Sequence, residues 1–382
     1  MTSNALYNFY NPVQIHFGEG IRSNLQDLLG SKKYLVVCSG RGRKQFTKDK
    51  ILQKLIIDKQ ILWLDTVKES PTLIDIQKQI DLMKNEKFDA IIAFGGGSVI
   101  DSAKAISVSM RIKDKSISIK DLINSADINI SDPPIPLFTL PTTAGTGAEM
   151  TPFATFWDHV DKKKYSLDHY SLFPVASFID PELCKDLPKI ITLSTGLDAI
   201  NQACESIWNI NASAYTLDIA FRALELGFKA LPLIINENNE DARSDMSECS
   251  MLAGIAISQT RTAMCHSISY PLSSHFNVPH GIACAFSMRE ILKINLDQDD
   301  GRFNYLAKRL LGDEKSGNDL INFFEVFFSK LDVLNIFKSY INDIDSLKKL
   351  KGQMFTKARA KNSLVKISIK DMDGILERSL NQ

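Results

Sequence analysis

The sequence predicts an α/β N-terminal domain with a parallel sheet, followed by an all-α C-terminal domain. In the first half, short apolar runs such as KYLVVCS, QILWLD and FDAIIAFGGGS alternate with amphipathic segments, as strands alternating with helices do. From about residue 190 onward, apolar residues recur at helical spacing in long segments such as AFRALELGFKALPLII. Pro188 and a short polar stretch separate the two patterns. We therefore place the boundary there, which gives domains of residues 1–187 and 188–382.

Length, charge and cysteine content restrict the class of protein. A chain of 382 residues fits about two domains with sizeable cores. Because 45 basic residues balance 45 acidic ones, no net charge attracts nucleic acid or an anionic membrane. The N-terminus lacks a basic segment followed by an apolar one, and no apolar run is long enough to span a bilayer, so we expect a cytoplasmic protein. The six cysteines are scattered without a CxxC pair, which predicts reduced core thiols.

The segment FDAIIAFGGGSVIDSAKAI predicts a strand, a glycine turn and an amphipathic helix. Glycines let backbone amides approach a phosphate, and the N-terminus of the helix favours its negative charge. Gly95, Gly96, Gly97 and Ser98 are therefore candidate contacts for the diphosphate of a dinucleotide. Asp101 is included in this candidate set, although Ser98 and Asp101 also fit a capping box, and that purely structural role competes with the functional one.

A second glycine-containing turn, TLPTTAGTGAE at residues 139–149, follows the apolar segment PPIPLF. It supplies hydroxyls and unhindered amides that suit a ribose and a nicotinamide. The alternative is a loop held by side-chain turns. Two such turns in one α/β domain favour a dinucleotide more than either turn alone.

The segment after the first of the alternating strands bears on the choice between NAD and NADP. It reads VVCSGRGRKQF and has no carboxylate to bond the ribose 2′-hydroxyl of NAD. Ser39 with Arg41 or Arg43 can instead hold the 2′-phosphate of NADP, since a guanidinium matches phosphate oxygens. The alternative is two solvated arginines on a loop. The pattern favours NADP over NAD.

The segment LSTGLDAINQACESIWN contains the first candidate metal ligands. Ser194 or Thr195 can cap a helix, and Asp198 and Gln202 then stand four residues apart on one helical face. Both side chains can reach a single ion. The alternative for Asp198 is a first-turn carboxylate that is favoured by the helix dipole.

Two histidines downstream complete a candidate metal site. His266 lies inside a long apolar segment with helical spacing, and His280 follows a proline, so the two can converge from a helix and a loop. One carboxylate and two imidazoles are typical of a site for Fe(II) or Zn(II) with open positions for water or substrate. The alternative is that both histidines are hydrogen-bonded core residues.

Together, these segments resemble the iron-containing (group III) alcohol dehydrogenases over nearly the whole chain. FGEG, GGGSVIDSAKA, PTTAGTGAE, FIDPEL, GLDAINQACE and HSISYPLSSHFNVPHG occur in the order and at the spacing of that family. The resemblance implies the dehydroquinate synthase-like fold of the iron-containing alcohol dehydrogenases. It also implies an N-terminal domain that binds NAD or NADP, a helical C-terminal domain and a divalent metal ion.

The resemblance also assigns roles to individual residues. Asp198, His266 and His280 match three metal ligands of the family. The matched cofactor contacts are Gly97, Ser98, Thr142, Thr143 and, as a weaker candidate, Lys164.

Three positions in the candidate metal-binding segments have no metal-binding histidine of the family pattern. Gln202 stands where the family usually has histidine, and an amide oxygen is a weaker and harder donor than imidazole, so the identity of the metal is open. Tyr270 stands where a further histidine is frequent, and it can present its hydroxyl to the substrate or to metal-bound water. The alternative is a tyrosine that packs in the domain interface. His275 has no metal role in the family pattern, and we interpret it as a loop residue.

The run SQTRTAMCHSISYPLSSHF, together with Gln202, most resembles the branch that reduces phosphonoacetaldehyde to 2-hydroxyethylphosphonate. A phosphonate requires cationic residues, which Arg261, Lys357 or Arg359 can supply. Each of the three can also be an ordinary exposed or interface charge.

We therefore expect metal-dependent reduction of a small aldehyde with NAD(P)H. The alternatives are reduction of an uncharged short-chain aldehyde, a lyase or cyclase of the dehydroquinate synthase kind, and a nucleotide-binding protein that has lost its metal. The expected partners are small aldehydes and alcohols, without nucleic acid or membrane, and a homodimer is compatible with the sequence.

Overall fold

The computed structural model describes residues 7–30, 32–57, 60–114, 116–124, 133–158, 163–237 and 239–381. The chain forms two compact units. The α/β unit comprises Asn11–Thr143 and Gly147–Asp186, and the helical unit comprises Leu187–Gln382, Ala144–Thr146 and the residues up to Tyr10, as far as these are described. Residues 7–10 and 144–146, which the sequence placed in the N-terminal domain, thus pack with the helical unit.

The α/β unit is built on a six-stranded sheet in the described residues, with the order β1-β8-β5-β4-β2-β3. All neighbouring strands in it are parallel, as predicted. A separate antiparallel pair, β6 and β7, joins Phe153 to Asp168 and Asp158 to Lys163. The strands are β1 Gln14–Phe17, β2 Lys33–Val37, β3 Gln60–Leu64, β4 Ala90–Gly95, β5 Leu137–Pro141, β6 Phe153–Asp158, β7 Lys163–Asp168 and β8 Ala176–Ile179.

Helices cover both faces of this sheet. They are α1 Leu25–Leu28, α2 Gly40–Lys48, α3 Lys50–Ile57, α4 Leu73–Met83, α5 Gly97–Ser109 and α6 Ile119–Asn124, with short 3-10 helices at Ile21–Asn24, Ala148–Met150, Tyr170–Leu172 and Pro181–Cys184. Side chains alternate along β2: Tyr34 and Val36 join the apolar cluster with α2 and α3, whereas Leu35 and Val37 join the cluster with α4 and α5. A strand buried on both faces reads as a continuous apolar run, which is why KYLVVCS predicted it.

The carboxyl ends of four strands lie at one edge of the sheet. Val37 pairs with Leu64, and Gly95 pairs with Pro141. The chain order reverses at the neighbouring strands β2 and β4, because β3 lies on one side of β2 and β4 on the other. Open α/β sheets bind ligands outside the carboxyl ends of the strands at such a reversal. The turns that follow β2 and β4 are therefore the expected ligand-binding turns.

The helical unit is arranged around α7. Its helices are α7 Lys189–Ile207, α8 Ala214–Glu237, α9 Ala242–Thr260, α10 Met264–Phe276, α11 His280–Leu296, α12 Arg302–Leu311, α13 Asp319–Lys330, α14 Val333–Tyr340, α15 Ile344–Lys349, α16 Lys351–Met354, α17 Lys357–Ala360 and α18 Met372–Leu380. Every residue from Gly196 to Ile207 is buried, including Asp198, Gln202 and Glu205. Because polar side chains are rarely buried without partners, these three need an explanation beyond packing.

The cysteines and the helix lengths bear on the class of protein. All six cysteines are buried and carry thiols rather than disulfides, as predicted. Among the described residues, no helix combines the length and the apolar character that crossing a membrane requires.

Candidate functional site

The predicted diphosphate contacts lie at the start of α5. Gly96 is the N-cap residue of this helix, and its carbonyl accepts the amide of Val99 at 3.0 Å. The amides of Gly97 and Ser98 donate to no backbone carbonyl within the described part of the chain. Two free amides at the N-terminus of a long helix form a favourable site for an anion.

The two glycine-containing turns meet at this point. The amide of Thr142 donates to the carbonyl of Gly95 at 3.2 Å. A Cβ atom on Gly96 would lie 3.0 Å from Oγ1 of Thr143, so a larger residue would crowd the side chain of Thr143. The structure thus brings together Thr142, Thr143 and the turn that contains Gly95, Gly96 and Gly97.

The predicted capping box of Ser98 and Asp101 is wrong. Glycine, not serine, holds the N-cap position of α5, and no side chain caps the helix. Oγ of Ser98 instead accepts the amide of Ser70 at 3.1 Å. The buried carboxylate of Asp101 accepts the amide and the hydroxyl of Thr155 at 2.9 and 3.0 Å, which ties β6 to α5. Lys164, on β7, places its ammonium 5.4 Å from the ring of Trp157.

The residues proposed to distinguish NADP from NAD lie after β2. Ser39 caps α2 by accepting a backbone amide at 3.0 Å. Arg43 is paired with Asp65 at 2.6 Å, and Arg41 donates to the carbonyl of Asp186 at 3.0 Å. Asp65 follows β3, so a neighbouring strand supplies the carboxylate that is absent after β2. This corner therefore holds both the cation that suits NADP and the carboxylate that suits NAD.

Four side chains with metal-binding chemistry converge in the helical unit. They are Asp198, His266, His280 and Cys284, and one ligand atom from each lies within 4.8 Å of the others. Oδ1 of Asp198 is 3.4 Å from Nε2 of His266 and 3.9 Å from Nε2 of His280. Ligand atoms around a tetrahedral zinc ion are about 3.3–3.6 Å apart, given bonds of about 2.0–2.3 Å. The distance between Asp198 and His266 matches this spacing and that to His280 is longer, while the donor types are those of a divalent-ion site.

Three helices bring these ligand atoms together. α7 carries Asp198, but it begins at Lys189, so the prediction that Ser194 or Thr195 caps it is wrong. Both hydroxyls lie inside the helix: Thr195 donates to a carbonyl one turn back, and Ser194 accepts the amide of Gly281 at 3.1 Å. Serine and threonine are favoured at helix starts but also form such hydrogen bonds inside helices, and the sequence does not distinguish the two uses.

His266 and His280 both lie at the starts of helices. The sequence had predicted that His266 lies inside a long helical segment and that His280 lies in a loop. The long apolar segment breaks at Arg261, whose φ of 66° ends α9, so His266 is the third residue of α10. His280 is the first residue of α11, after Pro279 as N-cap, and not a loop residue. Proline has no amide to satisfy and its φ suits a helix start, which explains the helix there.

Gly281 allows α11 to approach α7. A Cβ atom at this position would lie 1.7 Å from the carbonyl oxygen of Ser194. Only glycine permits this contact, which holds His280 against the turn of α7 that carries Asp198.

Glu205 orients one of the histidines. Its buried carboxylate is 2.8 Å from Nδ1 of His266 and accepts the amide of Ala263 at 2.6 Å. Burial lowers the pKa of His266, but the charge of Glu205 and hydrogen bonds to both carboxylates outweigh it and raise that pKa to about 10. A carboxylate bonded to Nδ1 leaves Nε2 for a metal, the usual arrangement behind metal-binding histidines.

Sequence reasoning missed one member of this cluster, Cys284, and the carboxylate of Glu205 that holds His266. Glu205 lies seven residues after Asp198, which is two helical turns along the same face. Cys284 lies four residues, or one turn, after His280. Both spacings can be counted in the sequence. They indicate a shared helical face only when the bounds of α7 and α11 are known.

Gln202 lies one turn after Asp198 on α7. Its Nε2 donates to the carbonyl of Thr146 at 3.3 Å. Its Oε1 is buried and has no hydrogen-bond partner in the described portion of the chain. That oxygen is therefore the part of Gln202 that retains a lone pair for a ligand role.

Tyr270 lies beside the cluster. Its ring stacks on that of His280, with centroids 5.9 Å apart and an interplanar angle of 9°. The guanidinium of Arg359 is 4.7 Å from the centre of the Tyr270 ring. Of the other candidate cations, Arg261 lies at the break between α9 and α10, and the exposed Lys357 begins α17.

His275 is the remaining histidine of this region. It belongs to α10, so the interpretation as a loop residue is wrong. Its Nε2 is 2.9 Å from Oε1 of Gln353. This histidine lies outside the four-residue cluster, and it bonds to an exposed glutamine.

Comparison with known proteins identifies the family of the chain. Residues 12–181 match the family described as "Iron-containing alcohol dehydrogenase", and residues 192–380 match "Fe-containing alcohol dehydrogenase family, C-terminal". The chain is 29% identical to the NADPH-dependent butanol dehydrogenase of Clostridium saccharobutylicum over 341 residues, 88% of this chain and 87% of that protein. It is 30% identical to the probable alcohol dehydrogenase EutG of Escherichia coli, over 68% of this chain and 65% of that protein.

A solved structure agrees with this assignment. The iron-containing alcohol dehydrogenase of Thermotoga maritima superposes with a TM-score of 0.84 and 28% identity, covering 99% of this chain and 100% of that one. The two family matches together span both structural units. The chain therefore belongs to the iron-containing alcohol dehydrogenases, a family of oxidoreductases that use NAD(P) and a divalent metal ion.

Proposed function

We propose that the protein reduces a small aldehyde to the alcohol. The observation that carries this proposal is the convergence of Asp198, His266 and His280, in a chain whose parallel sheet also presents a glycine turn at the start of a helix. When bound, the nicotinamide cofactor supplies the hydride and the divalent ion polarises the aldehyde carbonyl.

The cofactor contacts follow from the carboxyl edge of the sheet. The amides of Gly97 and Ser98 bind the diphosphate, and the dipole of α5 favours its charge. The hydroxyls of Thr142 and Thr143 bond the ribose or the nicotinamide amide. Arg43 binds the 2′-phosphate of NADPH, which we favour over NADH.

The remaining candidates for cofactor binding are Ser39, Asp101 and Lys164. They support the contacts described above. Ser39 fixes the start of α2 beside the 2′-phosphate. Asp101 holds β6 through Thr155. Lys164 adds a cation on β7 for a phosphate oxygen.

The helical unit holds the ion. Asp198, His266 and His280 bind it directly, and Glu205 keeps the ring of His266 in the required orientation. Oε1 of Gln202 offers a neutral, weak donor one turn after Asp198.

Tyr270 carries the proton to the alkoxide. The ring of Tyr270 stacks on that of His280, so the tyrosine lies beside the four-residue cluster. Tyr270→Phe should lower kcat by about 100-fold, a typical contribution of a general acid, while bound metal stays unchanged. Tyr340→Phe, on α14, is the matched control. An unchanged kcat in Tyr270→Phe would mean that water supplies the proton.

The substrate is a small anionic aldehyde, with phosphonoacetaldehyde as our preferred choice. Arg359 supports this, because its guanidinium lies over the ring of Tyr270 and donates through Nε to the neutral hydroxyl of Thr262 at 3.3 Å. A guanidinium at that place can bind phosphonate oxygens in a bidentate manner.

The test is an NADPH-oxidation assay of the metal-reconstituted protein with phosphonoacetaldehyde, propanal and lactaldehyde. We expect the highest kcat/KM for phosphonoacetaldehyde, and Arg359→Gln should raise KM for that substrate alone. A higher kcat/KM for the uncharged aldehydes would exclude the phosphonate. Absence of net NAD(P)H consumption with every aldehyde would instead favour a lyase or cyclase.

A further inference from the structure

The environment of Cys284 differs from that of the other cysteines in the helical unit. Cys204, Cys249 and Cys265 belong to the apolar cluster that forms the core of this unit. Cys284 is as deeply buried but is not part of that cluster, and its sulfur lies 3.9 Å from Nε2 of His280. The thiol therefore faces polar ligand atoms.

The position of Cys284 follows from helix geometry. It lies one turn after His280 on α11, so both side chains project from the same face. Its sulfur, an oxygen of Asp198 and a ring nitrogen of each of His266 and His280 all lie within 4.8 Å of one another. Nitrogen and sulfur ligands of one tetrahedral zinc ion are about 3.5 Å apart, so the observed 3.9 Å between sulfur and Nε2 of His280 needs only a small side-chain movement to match.

We propose that Cys284 is a ligand of the divalent ion, together with Asp198, His266 and His280. This inference rests on the proposed function, since it assumes that the cluster holds an ion. As the metal–sulfur bond forms, the S–H bond breaks and its proton passes to solvent. Neither the metal nor the sulfur changes its oxidation state.

The alternative fourth donor is Gln202, and the chemistry of the two groups differs. Gln202 offers a neutral amide oxygen, and its Nε2 is already bonded to the carbonyl of Thr146. A thiolate carries a full charge and is the softer donor, so it binds Zn(II) more strongly and favours it over Fe(II). Zinc also accepts a fifth ligand, so four protein donors are compatible with catalysis.

X-ray absorption of the zinc-loaded, full-length wild type tests the proposal without a mutation. We expect one sulfur scatterer at about 2.3 Å, with the remaining ligands at the shorter distances of nitrogen and oxygen. A spectrum with nitrogen and oxygen ligands only would overturn the role of Cys284 while leaving the proposed function intact. A protein that binds neither zinc nor cobalt would overturn both.

Cobalt substitution provides a second readout with matched variants. The Co(II)-loaded wild type should show a thiolate-to-cobalt charge-transfer band, and Cys284→Ser should lose this band. Cys249→Ser, which removes a buried thiol from the apolar core, should keep it. Zinc affinity should fall by more than ~100-fold in Cys284→Ser, beyond the range for residues that only orient a ligand. A band that persists in Cys284→Ser contradicts the proposal.

Discussion

At the scale of the residue, Glu205 holds the imidazole of His266, one of the proposed metal ligands. Its carboxylate contacts Nδ1 of His266 and the amide of Ala263, so it ties the ring to the start of α10. The side chain is buried and lies on α7, the same helix as Asp198. One helix therefore supplies both a proposed metal ligand, Asp198, and the carboxylate that holds another proposed ligand, His266.

Removing the charge of Glu205 should weaken metal binding. Glu205→Gln keeps the size of the side chain but loses the carboxylate that holds His266, and we expect zinc affinity to fall by about 10–100-fold. Chelator competition measures this change. Glu248→Gln, on α9, serves as the control. Unchanged zinc affinity in Glu205→Gln would show that the carboxylate has only a structural role.

A second buried carboxylate, Glu149, belongs to the α/β unit. It is only 3% exposed, and burial raises its pKa to about 7. Nearby, the buried ammonium of Lys104 donates to the carbonyls of Ala148, Thr151 and Phe153, and burial lowers its pKa to about 8. Lys104 thus binds the segment around Glu149 to α5.

The raised pKa of Glu149 predicts how stability depends on pH. Because the folded protein holds this proton more tightly than the unfolded chain, the stabilisation is complete below about pH 4.5 and is lost as pH rises through about 7. Because glutamine does not titrate, Glu149→Gln should remove this pH dependence, which amounts to about 3 kcal/mol for a pKa raised from 4.5 to about 7.

Urea unfolding at pH 5 and pH 7 measures the effect. The free energy of unfolding should fall less between these pH values in Glu149→Gln than in wild type. Glu19→Gln, at an exposed position, is the control and should behave as wild type. Equal pH dependence of wild type and Glu149→Gln would contradict the prediction.

At the scale of the element, the contact of α7 with α11 brings His280 and Cys284 close to Asp198 in the candidate metal site. Gly281→Ala would place a methyl group against the carbonyl of Ser194 and force the two helices apart. We expect a loss of about 1–3 kcal/mol in the free energy of unfolding, as for other overpacked contacts, together with loss of metal retention. Gly352→Ala, where a Cβ atom meets no neighbour within 4 Å, should leave both unchanged. Full zinc content in Gly281→Ala would show that the helices can adjust.

The elements that could be predicted from the sequence are those with a local signal. The alternation of apolar runs and the glycine turn before α5 depend on neighbouring residues, and both appear in the structure. The predicted start of α7 was wrong for a physical reason. Ser194 and Thr195 make the same kinds of hydrogen bond inside this helix as they would at its end. The break at Arg261 depends on a single positive φ, which no glycine or proline marks.

In the candidate site, too, the residues with a local sequence signal could be predicted and the others could not. Asp198, His266 and His280 could be selected because their chemistry and their family pattern agree. Glu205 and Cys284 could not, since their role follows from three helices meeting, and a meeting of helices has no local signature. Asp65 was missed in the same way, because it reaches Arg43 from a neighbouring strand.

At the scale of the whole molecule, zinc should stabilise the helical unit and NADPH the α/β unit. A ligand that binds only the folded state stabilises it by about 2.7 kcal/mol at 100 times its Kd. Zinc should protect amides of α7, α10 and α11 from hydrogen exchange, whereas NADPH should protect those at the start of α5. Asp198→Asn should lose the zinc-induced rise in Tm and keep the rise caused by NADPH. Identical protection patterns with the two ligands would contradict this division.

The helical unit is assembled from separate segments of the chain, and this constrains the order in which the chain folds during synthesis. Gly145 packs against Thr195, and Tyr10 bonds to Gln259 through both its amide and its carbonyl, so early segments wait for partners that are translated later. The interval is 50 residues for Gly145 and 249 for Tyr10, several seconds or more at about 5–20 residues per second. The α/β unit has all of its residues by Asp186, whereas the turn at residues 144–146 stays unpartnered by the helical unit until α7 emerges. A fragment that starts at residue 188 would therefore lack pieces of its own core, and the helical unit cannot be cut from this chain as one contiguous segment.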